Sequence, residues 1–152
     1  MDGCTMAKRY GKIHTFGNMS ADLKRIMYRD SRKAAATEHD LQVGCVRWFR
    51  YEFPAFAPLL FAIPNGGRRD YVSAAKLKAE GVVPGVPDLL LAVPRGGYHA
   101  LWIEMKNGKA GELSQAQKEM HVNLRSQGYR VEVCRTFEGF VTILRDYLRS
   151  NG

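Results

Sequence analysis

Cysteine is scarce in this chain of 152 residues, and its three copies lie far apart, at Cys4, Cys45 and Cys134. An odd number of cysteines at wide spacing fits neither a disulfide framework nor a structural zinc site. We therefore expect a reducing environment such as the cytosol. Apolar residues surround Cys45 and Cys134, so we expect both thiols to be small core residues.

Long hydrophobic runs are also missing, because no stretch approaches the roughly 20 apolar residues of a membrane-spanning helix. The most apolar stretch, Phe53 to Ile63, is too short and contains Pro54 and Pro58. The first residues hold no apolar segment typical of a signal peptide. We therefore expect a soluble, cytoplasmic protein that is not exported and has no membrane partner.

Acidic residues are outnumbered, since 23 Lys and Arg stand against 15 Asp and Glu and give a formal net charge of +8. Residues 1–36 are the most basic part per residue, and we expect them to form a flexible basic arm in front of one domain at 37–152. A positive chain suits a polyanionic partner, because Lys and Arg displace counterions from phosphates. An anionic membrane surface or plain solubility are the alternative explanations of the charge.

Hydrophobic periodicity and turn residues predict alternating helices and strands from Thr37, which is a candidate helix N-cap with Asp40 at the capping-box position. A further helix is predicted at 20–33. The order predicted after it is helix 37–53, strand 59–63, helix 71–80, strands 88–93 and 98–106 around a hairpin loop, helix 114–127, strand 129–134 and helix 137–149. Such alternation favours an α/β fold in which a mixed sheet is flanked by helices on both faces.

Two acidic residues and one lysine form the strongest candidate for chemistry. Asp88 begins a predicted strand, and Glu104 and Lys106 lie two residues apart on the next one. Residues two apart on a strand share a face, and a hairpin brings facing positions close together. Converging carboxylates suit a hard cation such as Mg²⁺, and the ammonium group can hold a phosphate. A solvated salt bridge is the alternative for Glu104 and Lys106, but Asp88 heads a strand too apolar for an ordinary surface aspartate.

A basic cluster follows the predicted turn at Asn65 and consists of Arg68, Arg69, Lys76 and Lys78. It can bind a DNA backbone without reading the base sequence, while a solvated helix face is the alternative.

The histidines and tryptophans carry no comparable signal. No metal-ligand spacing connects the four histidines, which are His14, His39, His99 and His121. We expect all four to be non-catalytic. Trp48 and Trp102 are expected to be packing residues, although Trp102 shares the Glu104 face and lining the site is its alternative role.

An ordered set of segments over about residues 37–149 resembles the virus-type replication-repair nuclease family, VRR-NUC, of the PD-(D/E)xK nuclease superfamily. The segments are Glu38, Ile63-Pro64-Asn65-Gly66-Gly67, Lys76-Leu77-Lys78-Ala79-Glu80-Gly81, Pro84-Gly85-Val86-Pro87-Asp88-Leu89, Trp102-Ile103-Glu104-Met105-Lys106, Leu113-Ser114-Gln115-Ala116-Gln117-Lys118 and Gly128-Tyr129-Arg130-Val131. The resemblance implies a restriction-endonuclease-like fold and a metal-dependent DNA endonuclease, selective for branched DNA such as four-way junctions or flaps and acting as a homodimer.

The resemblance also implies a role for each site residue. Asp88 and Glu104 would bind Mg²⁺, or Mn²⁺ as a substitute, with the backbone carbonyl of Met105. Lys106 would be the catalytic lysine, and Gln117 would orient it or a phosphate. Two further expected roles belong to Glu38, which would reach the metal directly or through water, and to Asn65, which would border the site.

Each supporting residue also has a purely structural interpretation. Glu38 can favour a helix N-terminus electrostatically, Gln117 can be only the capping-box partner of Ser114, and Asn65 can be only a turn former. Two other function classes stay open for the whole chain, namely a non-catalytic nucleic-acid-binding module and a structural partner of a replication or repair assembly.

Overall fold

The computed structural model describes residues 37–63, 76–108 and 111–150. The chain divides into two compact units, Met1–Pro58 and Leu59–Gly152. The predicted basic arm, the predicted helix at 20–33 and the cluster residues Asn65, Arg68 and Arg69 lie outside the described residues. None of the helices within the described ranges is long and apolar enough to cross a membrane.

Helix α1, Glu38–Glu52, begins and ends where the sequence predicts. The Thr37 hydroxyl accepts from the Asp40 amide at 3.2 Å, and the Asp40 carboxylate accepts from the Thr37 amide at 2.9 Å, so both halves of the capping box are present. Pro54 follows the helix and starts a 3-10 helix, Pro54–Leu59. Within this unit Cys45 and Trp48 are fully buried, as predicted for core residues.

The second unit is built on one mixed sheet of four strands in the order β1-β2-β3-β4. The strands are β1 Leu60–Ala62, β2 Leu89–Leu91, β3 Leu101–Met105 and β4 Arg130–Cys134. The first three pair antiparallel, and β4 pairs with β3 in parallel. The predicted hairpin loop is a tight turn in which Arg95 and Tyr98 exchange backbone hydrogen bonds around Gly96 and Gly97, both with positive φ.

Two helices cover opposite faces of this sheet. Helix α2, Gln115–Ser126, approaches Glu104 through Gln117, and helix α3, Phe137–Arg149, approaches the other face of β4, where the Arg130 guanidinium lies 6.0 Å from the Tyr147 ring centre. Alternation along a strand separates these faces. The predicted mixed sheet with helices on both faces is therefore the observed architecture.

The face opposite to Glu104 forms the core of the second unit. Leu101, Ile103 and Met105 alternate along β3 and are completely buried, as are Leu89 and Leu91 on β2. Removing this much apolar surface from water supplies most of the driving force that holds β2 and β3 in register. The core thereby fixes the sheet position of the polar residues between these side chains.

One predicted strand differs in character from the observed one. The sequence pattern predicts a buried strand at 59–63, but β1 is an edge strand in which Leu60 is buried while Phe61 and Ala62 are exposed. An apolar run cannot distinguish a strand covered on both faces from an edge strand covered on one. In the predicted helix at 71–80, the described residues 76–79 are helical, and Gly81 follows with a positive φ.

Candidate active site

Asp88 lies immediately before β2 and opposite Glu104, because Leu89 pairs with Ile103 in the antiparallel register. Its Oδ2 accepts a 2.7 Å hydrogen bond from the backbone amide of Met105. Its own carbonyl oxygen accepts from the amide of Ile63 at 2.8 Å. Asp88 is therefore held from both neighbouring chain segments, with its carboxylate beside the end of β3.

Glu104 carries the most deeply buried carboxylate in the described part of this unit, with only 1% of its surface exposed. Its Oε1 lies 2.9 Å from Nζ of Lys106 and accepts a 2.5 Å hydrogen bond from Nε2 of Gln117. A buried charge is tolerated only when it is paired and hydrogen-bonded. Lys106 and Gln117 therefore give the buried carboxylate of Glu104 two polar partners at a position facing Asp88.

Lys106 extends the β3–β4 pairing by one residue, since its amide donates to the Cys134 carbonyl at 2.9 Å. The extended backbone places its side chain on the same face as Glu104. That side chain is only 12% exposed. An ammonium group so enclosed is held beside the Glu104 carboxylate.

Gln117 has two functions in one side chain. Its Oε1 accepts from the Ser114 amide at 2.9 Å, and the Ser114 hydroxyl accepts from the Gln117 amide at 3.3 Å, so the predicted capping box is present. The other end of the same amide, Nε2, donates to Glu104. The start of α2 and the buried carboxylate are thereby tied together.

The donor set fits Mg²⁺. Asp88 and Glu104 offer hard carboxylate oxygens from facing positions, and the carbonyl of Met105 lies between Glu104 and Lys106 in the chain. No group of three or more His, Cys, Asp or Glu side chains that could hold a metal occurs among the described residues. Mg²⁺ does not need such a cage, since it typically takes one or two carboxylates and completes its shell with waters and substrate phosphates.

The comparisons with known proteins agree with this geometry. The model of the VRR-NUC domain family matches residues 30–138. The chain belongs to the VRR-NUC family. Its structure is similar to a solved structure described as a VRR_NUC domain protein, with a TM-score of 0.67 and 27% sequence identity over 76% of this chain and 90% of the other. A search of curated proteins finds no match. VRR-NUC is a nuclease-type family, so the chain contains a nuclease-type domain.

The other residues predicted for the site are not linked to it by the described structure. Glu38 lies in the first turn of α1, in the first unit, and its part at the metal stays a prediction. Lys76 and Lys78 are exposed on the helical turn before Gly81, where Lys76 pairs with Glu80 at 3.9 Å. A DNA contact by these lysines also stays a prediction.

In this VRR-NUC domain the turn before Asp88 requires a glycine at position 85. Its φ is +86°, and a Cβ atom added there would lie 2.4 Å from the carbonyl oxygen of Ala116 in α2. Any larger residue would collide with the first turn of α2 and adopt a strained backbone. Glycine therefore lets the turn that leads to Asp88 pack directly against the helix that presents Gln117.

Arg135, which no sequence motif singles out, supports the loop after Lys106. Its Nη1 donates to the carbonyl of Gly108 at 3.0 Å and to that of Gly111 at 2.6 Å. Gly111 in turn lies against Lys106, since an added Cβ would be 3.2 Å from the lysine Cβ and 3.3 Å from its Cδ. Arg135 therefore holds one wall of the space in which the lysine side chain lies.

His121 is expected from the sequence to be non-catalytic, like the other three histidines, but its side chain lies next to Glu104. The side chain is 2% exposed, and its Nε2 lies 3.6 Å from Oε2 of Glu104. The sequence does contain an indication that His121 lies on the same side of α2 as Gln117. Gln117, His121 and Leu124 recur at helical spacing and so share one face of the helix. By contrast, His99 is exposed and packs edge-on against Tyr129, with 5.7 Å between ring centres.

Replacing Gln117 by glutamate tests whether its contact with Glu104 matters apart from its cap. Gln117→Glu keeps an oxygen for the Ser114 amide but places a second carboxylate against Glu104. We expect roughly a 10–100-fold loss of nuclease activity, as for groups that orient metal ligands, and a lower melting temperature without metal. The control Gln115→Glu makes the same change at an exposed position of the same helix. Equal activities of the two variants would show that the contact is unimportant.

Proposed function

We propose that this chain is a Mg²⁺-dependent DNA endonuclease that hydrolyses phosphodiester bonds. Its active site would consist of Asp88, Glu104 and Lys106. The observation that carries the proposal is the Glu104 carboxylate, which is 1% exposed, is paired with Lys106 at 2.9 Å and faces Asp88 across the strand pair. Mn²⁺ is expected to substitute for Mg²⁺, because it accepts the same oxygen donors.

In this proposal some residues bind the cation and another contacts the phosphate. Asp88, Glu104 and the carbonyl of Met105 hold the cation, and Glu38 contributes to it directly or through water. When bound, Mg²⁺ supplies charge that polarises a phosphoryl oxygen and makes a nearby water more acidic. Lys106 contacts the scissile phosphate and stabilises the negative charge that develops on it.

The two acids support an enzyme over a pure binding module. A protein that only holds DNA gains nothing from negative charges placed where phosphates approach, because like charges repel. Burying Glu104 also requires Lys106 and Gln117 to compensate for its lost hydration. A cation bound between the carboxylates and the phosphate would account for a buried carboxylate at this position.

For the substrate we propose branched DNA, such as four-way junctions or flaps, cut by a homodimer. No base-reading helix is evident in the sequence, so recognition of shape and backbone is expected. The basic cluster Arg68, Arg69, Lys76 and Lys78 would contact phosphates, and Asn65 would border the site. Two opposed strands of a junction require two active sites, which a dimer of this small chain provides.

The experiment is a cleavage assay of the full chain on end-labelled DNA of one sequence arranged as single strand, linear duplex, flap and four-way junction. Each substrate is incubated with Mg²⁺, with Mn²⁺ and with EDTA. Cleavage of the branched forms in either metal and none in EDTA is the expected result. Sedimentation of the same sample measures whether the chain is a dimer.

Each other outcome corrects a different part of the proposal. Equal cutting of linear and branched duplex would remove the selectivity but leave the nuclease. Tight binding of DNA in EDTA without cleavage in any metal would instead support the binding module.

A further inference from the structure

His121 lies one helical turn after Gln117 on α2, and both side chains approach the same carboxylate. Gln117 bonds Oε1 of Glu104, whereas Nε2 of His121 lies 3.6 Å from Oε2. Residues four apart on a helix project from the same side. The helix therefore presents one side chain to each oxygen of the buried carboxylate.

The buried position of His121 favours a hydrogen-bond partner for its Nε2 atom. Its side chain is 2% exposed, and within the described part of the chain its buried Nε2 has no hydrogen-bond partner. A buried polar group left unsatisfied costs about 1–3 kcal/mol. The acceptor that the structure places beside this nitrogen is Oε2 of Glu104, and a small approach of the two groups completes a hydrogen bond.

The chemistry of the imidazole ring suits a donor to the Glu104 carboxylate. Burial lowers the pKa of His121, and the nearby cations Arg125 and Lys106 lower it further. A neutral imidazole carries one N–H, on Nδ1 or on Nε2, and the Nε2–H tautomer can donate to Oε2 of Glu104 without adding a positive charge. A neutral donor orients Glu104 without repelling a cation that approaches it, unlike a charged lysine.

We propose that His121 is a positioning residue for Glu104, in which Nε2–H donates to Oε2 while Gln117 and Lys106 hold Oε1. Both oxygens of the carboxylate are then oriented by different side chains, and its plane is fixed before a cation binds. The consequence for catalysis rests on the proposed function, but the hydrogen bond itself does not.

The functional test compares His121→Leu, which removes the donor, with His121→Gln, whose amide nitrogen can replace Nε2. We expect His121→Leu to weaken Mn²⁺ binding in calorimetry by roughly 10–100-fold, the usual effect of losing a group that orients a metal ligand. We expect His121→Gln to recover most of this affinity and of the cleavage rate. The control His99→Leu, at an exposed histidine outside the site, should match the wild type.

The structural test needs neither metal nor DNA. Long-range ¹H–¹⁵N spectra of the metal-free full chain should show His121 as the Nε2–H tautomer, and Glu104→Gln should shift its Nε2 resonance. An unprotonated Nε2, or unchanged Mn²⁺ affinity in His121→Leu, would overturn the positioning role. If wild type bound no Mn²⁺ and cut no DNA, yet showed this tautomer and shift, the proposed function would fail while the hydrogen bond stood.

Discussion

Asp88→Asn is expected to abolish metal-dependent cleavage while leaving the fold intact. The asparagine keeps an oxygen that can accept from the Met105 amide, which Asp88 bonds at 2.7 Å. It removes the negative charge that the proposed cation site needs. The several kcal/mol that a bound cation contributes correspond to roughly 10³-fold in rate. Cleavage of branched DNA in Mg²⁺ and the melting temperature, measured together, check both halves of this expectation.

Asp88→Ala separates the two roles of the same side chain. It removes the charge and also leaves the Met105 amide without its acceptor, next to a side chain that is completely buried. We expect the same loss of cleavage, together with about 1–3 kcal/mol lower stability in urea unfolding. If Asp88→Asn cut DNA at the wild-type rate, Asp88 would be only a backbone anchor and the cation site would have to lie elsewhere.

The elements with strong local signals were predictable from the sequence. Thr37 with Asp40, and Ser114 with Gln117, each satisfy amides at a helix start through side chains three residues apart, so short spacings reveal them. Gly96 and Gly97 likewise identify the hairpin turn, because its backbone needs positive φ at both positions. This turn joins β2 to β3, and the pairing of the two strands places Asp88 opposite Glu104.

Contacts between distant segments were not predictable in this way. Nothing in the pattern of α2 states which of its faces is turned toward Glu104. Only the family resemblance places Gln117 at the site, and the approach of His121 to Glu104 becomes visible only in the packed structure. The bracing of the Lys106 loop by Arg135 also joins residues 24 and 27 positions apart. Periodicity indicates which side of an element is buried but not which partner covers it.

Substitutions of Lys106 and of Glu104 are expected to have different effects on metal binding, although both residues should be needed for cleavage. In Lys106→Met the apolar stem is kept, but the ammonium at 2.9 Å from Glu104 is lost. An approaching cation then meets a carboxylate without a competing positive charge. We expect Mn²⁺ affinity equal to or higher than that of the wild type, with cleavage reduced roughly 10²–10³-fold, as when one donor to developing charge is removed.

Glu104→Gln should lose both Mn²⁺ binding and cleavage, because the amide removes the buried negative charge while keeping the size of the side chain. Mn²⁺ titration calorimetry and single-turnover cleavage of a junction substrate, applied to both variants, measure the difference. A parallel loss of metal affinity in Lys106→Met would mean that the lysine only keeps Glu104 ionised and in place. Retained or increased affinity in Lys106→Met, with affinity lost in Glu104→Gln, would instead assign the carboxylate to the cation and the ammonium to the phosphate, the division that hydrolysis at this site requires.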